Sequence, residues 1–333
     1  MTPYQRYAAV LKGKPVDYLP RIPILMQFAA EYDGSNYADF ASDYRARVEA
    51  NLACVRDFGV DQLSTMSDAY CETHAFGSQI KYIDDGPPHS THPLEENSDL
   101  SQLLKPNPQT SERMVDRLMA LRLYKQLQGN TYPILGWVEG AAAEAADLRN
   151  MTGFMMDLID DEVYACALME RCLEVAIEFA QAQVDAGADT IGIGDAVASQ
   201  VSPDIYERLI QPREKILTKA IQSMGATARL HICGNMTHLL PGIADLGVDI
   251  LDVDHMVDMA TVRRQVGSQV VLAGNIDPVS GVLRGTPKTI RDSIRETYQT
   301  VGNPYLVNAG CEIPAKTPIE NFKALCEPLP YQA

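Results

Sequence analysis

The 333-residue sequence has no unbroken apolar run approaching the roughly 18–20 residues of a membrane span, which argues against a transmembrane helix. Its opening, Met1-Thr2-Pro3-Tyr4-Gln5-Arg6, lacks the charged-then-apolar pattern of a secretory signal, so a cytoplasmic location is expected. Positive charge is scarce. With 28 Lys and Arg against 44 Asp and Glu, the formal charge is −16. A surface that acidic repels phosphate backbones and anionic lipid, which makes nucleic acid and membrane surfaces poor partners. Cysteine is too sparse for a disulfide scaffold: seven residues, an odd number, are scattered at 54, 71, 166, 172, 233, 311 and 326. The open question is which thiols bind a metal and which only pack. A phosphate-binding glycine fingerprint is also missing after the first apolar segment, which disfavours a doubly wound nucleotide fold. The late pair Gly192 and Gly194 lacks the third glycine.

What is present is an ordinary globular composition, 46% hydrophobic and 22% charged, with a repeating order of short apolar runs and helical stretches. A short helix over 3–11 precedes a turn, Arg21-Ile22-Pro23-Ile24-Leu25-Met26 reads as a first strand, and residues 43–57 have helical spacing. The Gly-, Pro- and His-rich stretch 79–91 reads as a hairpin leaving the core. From residue 132 onward strands and helices alternate, with strands expected near 132–139, 190–195, 228–233, 248–252, 270–275 and 305–311. Short apolar strands each followed by a helix imply a parallel sheet. About eight such units predict a (β/α)8 TIM barrel with N-terminal helical and hairpin additions, one domain over 1–333. The methionines clustered at 151, 155 and 156 are expected to fill core.

In such a barrel the C-terminal strand ends face the catalytic mouth. Those ends carry Glu139, Asp195, His231 with Cys233, Asp252 with Asp254, Asn275 with Asp277, and Cys311 with Glu312. His231 and Cys233 stand two apart on a strand and so point to one face. Cys311 ends the last strand, and closure of the barrel brings it near them. One imidazole and two thiolates suit Zn²⁺, and three protein ligands leave a fourth position open, as catalytic zinc sites do. Two thiolates cancel the ion's charge, which favours alkyl transfer involving sulfur over hydrolysis. The competing reading makes Cys233 and Cys311 small core residues and His231 a satisfied polar group. Glu139, Asp195 and Asp252 are catalytic candidates: each could be a fourth ligand, a partner to His231 or a proton handler, and each could equally cap the following helix. Asp277, before Pro278, could simply shape a turn. Cys54, Cys166, Cys172 and Cys326 fall on helical faces as packing residues. His74, His89 and His92 are expected in turns or in solvent.

Three segments carry a family resemblance: Leu230-His231-Ile232-Cys233-Gly234-Asn235, Gly274-Asn275-Ile276-Asp277-Pro278 and Asn308-Ala309-Gly310-Cys311-Glu312-Ile313-Pro314. They resemble the uroporphyrinogen decarboxylase superfamily, and within it the zinc-dependent branch that includes methylcorrinoid:coenzyme M methyltransferases. Arg6 through Gly13-Lys14-Pro15-Val16-Asp17 and Ser202-Pro203-Asp204-Ile205-Tyr206-Glu207 fit the same pattern. The resemblance implies zinc on His231, Cys233 and Cys311, with Asn275 and Asp277 in a cofactor-binding segment. It also implies methyl exchange between a small substrate, a thiol or a methylated donor, and a corrinoid (cobalamin) carried by a partner protein docked over the barrel mouth. The decarboxylase branch is the alternative. Its members carry an arginine-containing segment after the first strand to grip a polycarboxylate tetrapyrrole, and here Met26-Gln27-Phe28-Ala29-Ala30-Glu31-Tyr32 has none.

Overall fold

A computed structural model describes residues 1–332. Seven parallel strands pair in the order β1 (Leu63–Ser64), β4 (Ile134–Glu139), β5 (Thr190–Gly194), β6 (Thr227–Ile232), β7 (Ile250–Val253), β8 (Val271–Ala273) and β9 (Tyr305–Leu306). The remaining pair, β2 (Ile80–Ile83) and β3 (Gly86–Ser90), forms the antiparallel hairpin expected from its turn-rich sequence. Residues 20–24 close the circle between β9 and β1. Ile22 N donates to Val307 O, Val307 N to Pro20 O and Asp61 N to Arg21 O, each at 2.8 Å. This makes eight staves and a (β/α)8 barrel.

The first stave differs from the regular strand expected over 21–26. Only Arg21 forms a ladder bridge, to Val307, because Pro20 and Pro23 have no N–H to donate and residues from Gln27 turn into a helix. The helical stretch 203–224 likewise forms, but a π-turn over Tyr206–Ile210 interrupts it just before Pro212, which cannot complete an i→i−4 bond. Two helices not anticipated follow β4, Ala141–Arg149 and Met151–Asp160. The second corrects the reading of the methionine cluster as core: Met151 and Met156 are 48% and 57% exposed, and Met155 is partly buried.

Alternation along the strands decides what the barrel encloses. Register pairs Glu139 with Gly194, Gly194 with His231, His231 with Asp252, Asp252 with Ala273 and Ala273 with Leu306, so one row runs around the wall. Tyr7, Val10, Ile22, Ile250 and Val271 join Ala273 and Leu306 of that row in an apolar plug that seals the N-terminal end, with the helix Pro3–Leu11 supplying the first two. The Tyr7 hydroxyl bonds Thr190 at 2.8 Å. Midway, the Trp137 indole fills the bore. A Cβ on Gly192 would lie 2.2 Å from that ring and one on Gly194 2.9 Å from it, so both glycines serve packing. No described helix is long and apolar enough to cross a membrane.

Candidate metal centre

His231 is the penultimate residue of β6, Cys233 lies just beyond that strand, and Cys311 follows β9. Glycine next to each cysteine permits their approach. Gly234 adopts φ +94°, and its N–H donates to Asp254 Oδ2 at 2.9 Å, turning the chain directly after Cys233. A Cβ on Gly310 would lie 2.3 Å from His255 N, so only glycine lets the strand before Cys311 pass that loop. The result is one cluster: the ligand atoms of His231, Cys233 and Cys311 all lie within 4.8 Å of one another. His231 Nε2 is 3.0 Å from Cys233 Sγ, and the two sulfurs are 3.7 Å apart.

The cluster's surroundings suit a cation. The contacts with Cys233 and His231 overcome burial and lower the Cys311 thiol from the ordinary range, so the pair of cysteines readily holds a negative charge. Cys233 is pushed up, chiefly by its contact with Cys311 and by burial. His231 is buried, which opposes its charge, yet Cys311 and Asp252 together raise it. Its Nδ1 faces the Asp252 carbonyl at 3.2 Å and Oδ2 at 3.5 Å, which directs Nε2 to the sulfurs.

Asp252 is fully buried. Its Oδ2 pairs with Arg229 at 2.5 Å and its Oδ1 accepts from Asn308 Nδ2 at 2.8 Å; Arg229 also donates to Gln62 at 3.0 Å. Glu139 faces the bore, with Oε1 accepting from Trp137 Nε1 at 2.8 Å. Burial and then neighbouring Glu72 push its carboxyl far above the usual range. Asp195 lies at the start of the helix Ala141–Arg149, accepting from Ala143 N at 2.9 Å, and burial pushes it up to about 7. Asn275 donates to the carbonyls of Asp254 and Val257 at 3.0 and 2.7 Å, tying the loop after β7. Asp277 caps the turn Pro278–Leu283 through Val279 N and Ser280 N, which is the turn role its position before proline suggested. The structure thus brings His231, Cys233 and Cys311 together, with Asp252 behind them and Glu139 across the bore. Asp195, Asn275 and Asp277 are engaged with neighbouring backbone.

Arg229, Gln62, Asn308 and Trp137 were not singled out from sequence. Arg229 had a usable signal, two residues before His231 on the same face of the strand. Glu72, in the helix Cys71–Phe76, had none. Of the histidines expected in turns or solvent, His89 lies exposed in β3, whereas His74 is helical with its Nδ1 buried and His92 Nδ1 meets the Asp147 carbonyl at 2.6 Å.

The uroporphyrinogen decarboxylase family model matches residues 2–329. The chain belongs to the uroporphyrinogen decarboxylase family. Within it, a methylcobamide:CoM methyltransferase (MtaA) of Methanosarcina barkeri is 30% identical, covering 96% of this chain and 95% of that protein. A uroporphyrinogen decarboxylase of Pelodictyon phaeoclathratiforme is 26% identical, covering 91% and 89%. The solved structure of a methyltransferase from Methanosarcina mazei superposes with a TM-score of 0.89 at 27% identity, over 98% of this chain and 97% of that one.

Proposed function

We propose that this family member is a zinc-dependent methyltransferase, moving a methyl group between a corrinoid carried by a partner protein and a small substrate. That substrate is a thiol such as coenzyme M, or a methylated donor. The observation that carries the reading is the His231–Cys233–Cys311 cluster at the barrel mouth, in a chain similar end to end to a methylcobamide:CoM methyltransferase. Zinc held there would supply Lewis acidity to a substrate sulfur while two thiolates keep its net charge low. The chain's own residues do the rest. Asp252 and Arg229 fix the imidazole's orientation, Trp137 closes the bore beneath, and the barrel wall keeps water from the reacting groups. Seven free thiols and the acidic charge fit a cytoplasmic enzyme.

The decarboxylase reading keeps one observation in its favour, the similarity to uroporphyrinogen decarboxylases. Against it, the helix Gln27–Asp33 after the first stave holds no arginine for a polycarboxylate. Elemental analysis separates the two. We expect about one zinc per chain, lost in Cys233→Ala and Cys311→Ala, and thiol methylation by methylcobalamin only in the zinc-bearing protein. Protein that is free of zinc when purified without chelator would return the decarboxylase to first place.

A further inference from the structure

We propose that the small substrate is an aminothiol whose protonated amine is held by Glu139 while its sulfur meets His231, Cys233 and Cys311. This rests on the thiol reading above and narrows it, from thiols at large, sulfonate-bearing coenzyme M included, to one with a cationic far end.

Geometry places Glu139 for that contact. It shares a register row with His231, two strands away, and the residue between them is Gly194, which has no side chain to intervene. A Cβ on Gly194 would lie 3.0 Å from Glu139 Oε2, so the carboxyl leans over the glycine, toward the strand bearing His231. Trp137 holds Oε1, whereas Oε2 has no protein partner among the described residues although Glu139 is only 7% exposed. An unpartnered, reachable oxygen on a nearly buried residue, leaning toward the strand of His231, is a vacant acceptor for a substrate donor.

The charge around it favours a cation. Glu72 Oε1 accepts from Glu139 N at 3.1 Å. Behind them Thr73 bonds Glu144 Oε2, while Glu144 Oε1 and Asp195 Oδ2 are buried without partners. Asp147 is buried nearby and, like Glu72 and Asp195, pushed up to about 7. None of these five carboxyls forms a salt bridge among the described residues. The basic groups that approach are already paired, Arg117 with Asp116 and Arg113 with Asp68. An ammonium arriving at Glu139 lets that carboxyl give up its proton and ionise against it, whereas a sulfonate or carboxylate finds no free cation there.

Three thiols with the same two-carbon chain and different far ends test this: cysteamine, 2-mercaptoethanol and 2-mercaptoethanesulfonate. Zinc-loaded protein is titrated with each by calorimetry, and the fluorescence of Trp137, the one tryptophan in the chain, is followed alongside. Cysteamine is expected to bind about tenfold more tightly than the sulfonate, with the neutral thiol between them. Glu139→Gln, which retains its zinc, is expected to bring the two within about threefold, isolating the far end from the sulfur. Equal or tighter binding of the sulfonate to the unmodified protein overturns the aminothiol assignment and leaves the thiol reading standing. If none of the three binds, the thiol reading falls, and this proposal with it. The comparison on unmodified protein decides the matter even if Glu139→Gln does not fold.

Discussion

Asp252 stands between a buried guanidinium and an imidazole, and each neighbour gives it a separate function. For Arg229 its carboxylate is the counter-charge at 2.5 Å; for His231 its backbone carbonyl, 3.2 Å from Nδ1, turns Nε2 toward the sulfurs, with the carboxylate 3.5 Å away. Asp252→Ala takes the carboxylate from both neighbours and leaves the carbonyl in place. A buried arginine left without its carboxylate costs about 3–5 kcal/mol, whereas zinc affinity is expected to fall by about tenfold, the low end for a partner lost behind a metal-bound histidine, because the carbonyl remains. Asp252→Asn keeps the shape and an acceptor, so it is expected to lose less on both counts. Thermal melts and zinc competition against a chelator read the two effects separately. A full zinc affinity in Asp252→Ala would show that the backbone carbonyl alone orients His231. The His231–Cys233–Cys311 cluster was legible in sequence because residue type and the two-residue strand period point the same way. Arg229 obeyed the same period, but a cation inside a barrel carries no meaning until its partner is known, and that partner lies on the next strand.

At the level of elements, the regular strands and long helices were legible because each has its own unbroken pattern, as β4, β5 and the helix Glu162–Ala186 show. The first stave was only half legible. Its prolines deny it ladder bonds, and it is held instead by side chains that local pattern does not reveal. Asp61 accepts from Arg21 N at 2.9 Å and from Arg21 Nε at 2.7 Å, and from Arg6 Nη1 at 2.8 Å. One buried carboxylate therefore fastens both the closing stave and the helix that plugs the barrel floor. The helices Ala141–Arg149 and Met151–Asp160 escaped notice for a different reason. The first is buried on nearly every side and shows no polar–apolar stripe, while the second exposes Met156 and Ile159 and so blurs the face that buries Phe154 and Leu158. Because Asp61 serves two arginines that are almost fully buried, Asp61→Ala is expected to cost about 3–5 kcal/mol and to free the floor helix together with the first stave. Hydrogen exchange checks it: amides of residues 3–24 should lose protection before those of β5 and β6. Uniform loss of protection would mean that the seam is not a separate unit.

Over the whole molecule, two classes of buried acid pull stability in opposite directions with pH. Burial disfavours the charge of Asp68, but the Arg113 guanidinium 2.6 Å away prevails and holds it below the usual range. Its contribution is present above the unfolded value near 4 and is lost as pH falls. Glu72, Asp147 and Asp195 are pushed up to about 7 by burial. Between about 4 and 7 the folded chain therefore binds protons that the unfolded chain has released, and stability declines as pH rises through that window. The two trends leave a maximum on the acid side, near pH 5. Metal binding has the opposite slope, because thiols must lose protons to hold zinc. The clean measurement is thus the melting temperature of the Cys233→Ala/Cys311→Ala protein from pH 4.5 to 8, which removes that term. A falling Tm is expected across this range, with a shallower fall when Asp195→Asn is added, since the amide has no proton to release. A Tm that rises toward pH 8 in the metal-site double variant would mean that these carboxyls ionise in the folded barrel at ordinary pH, with counter-charge from elsewhere.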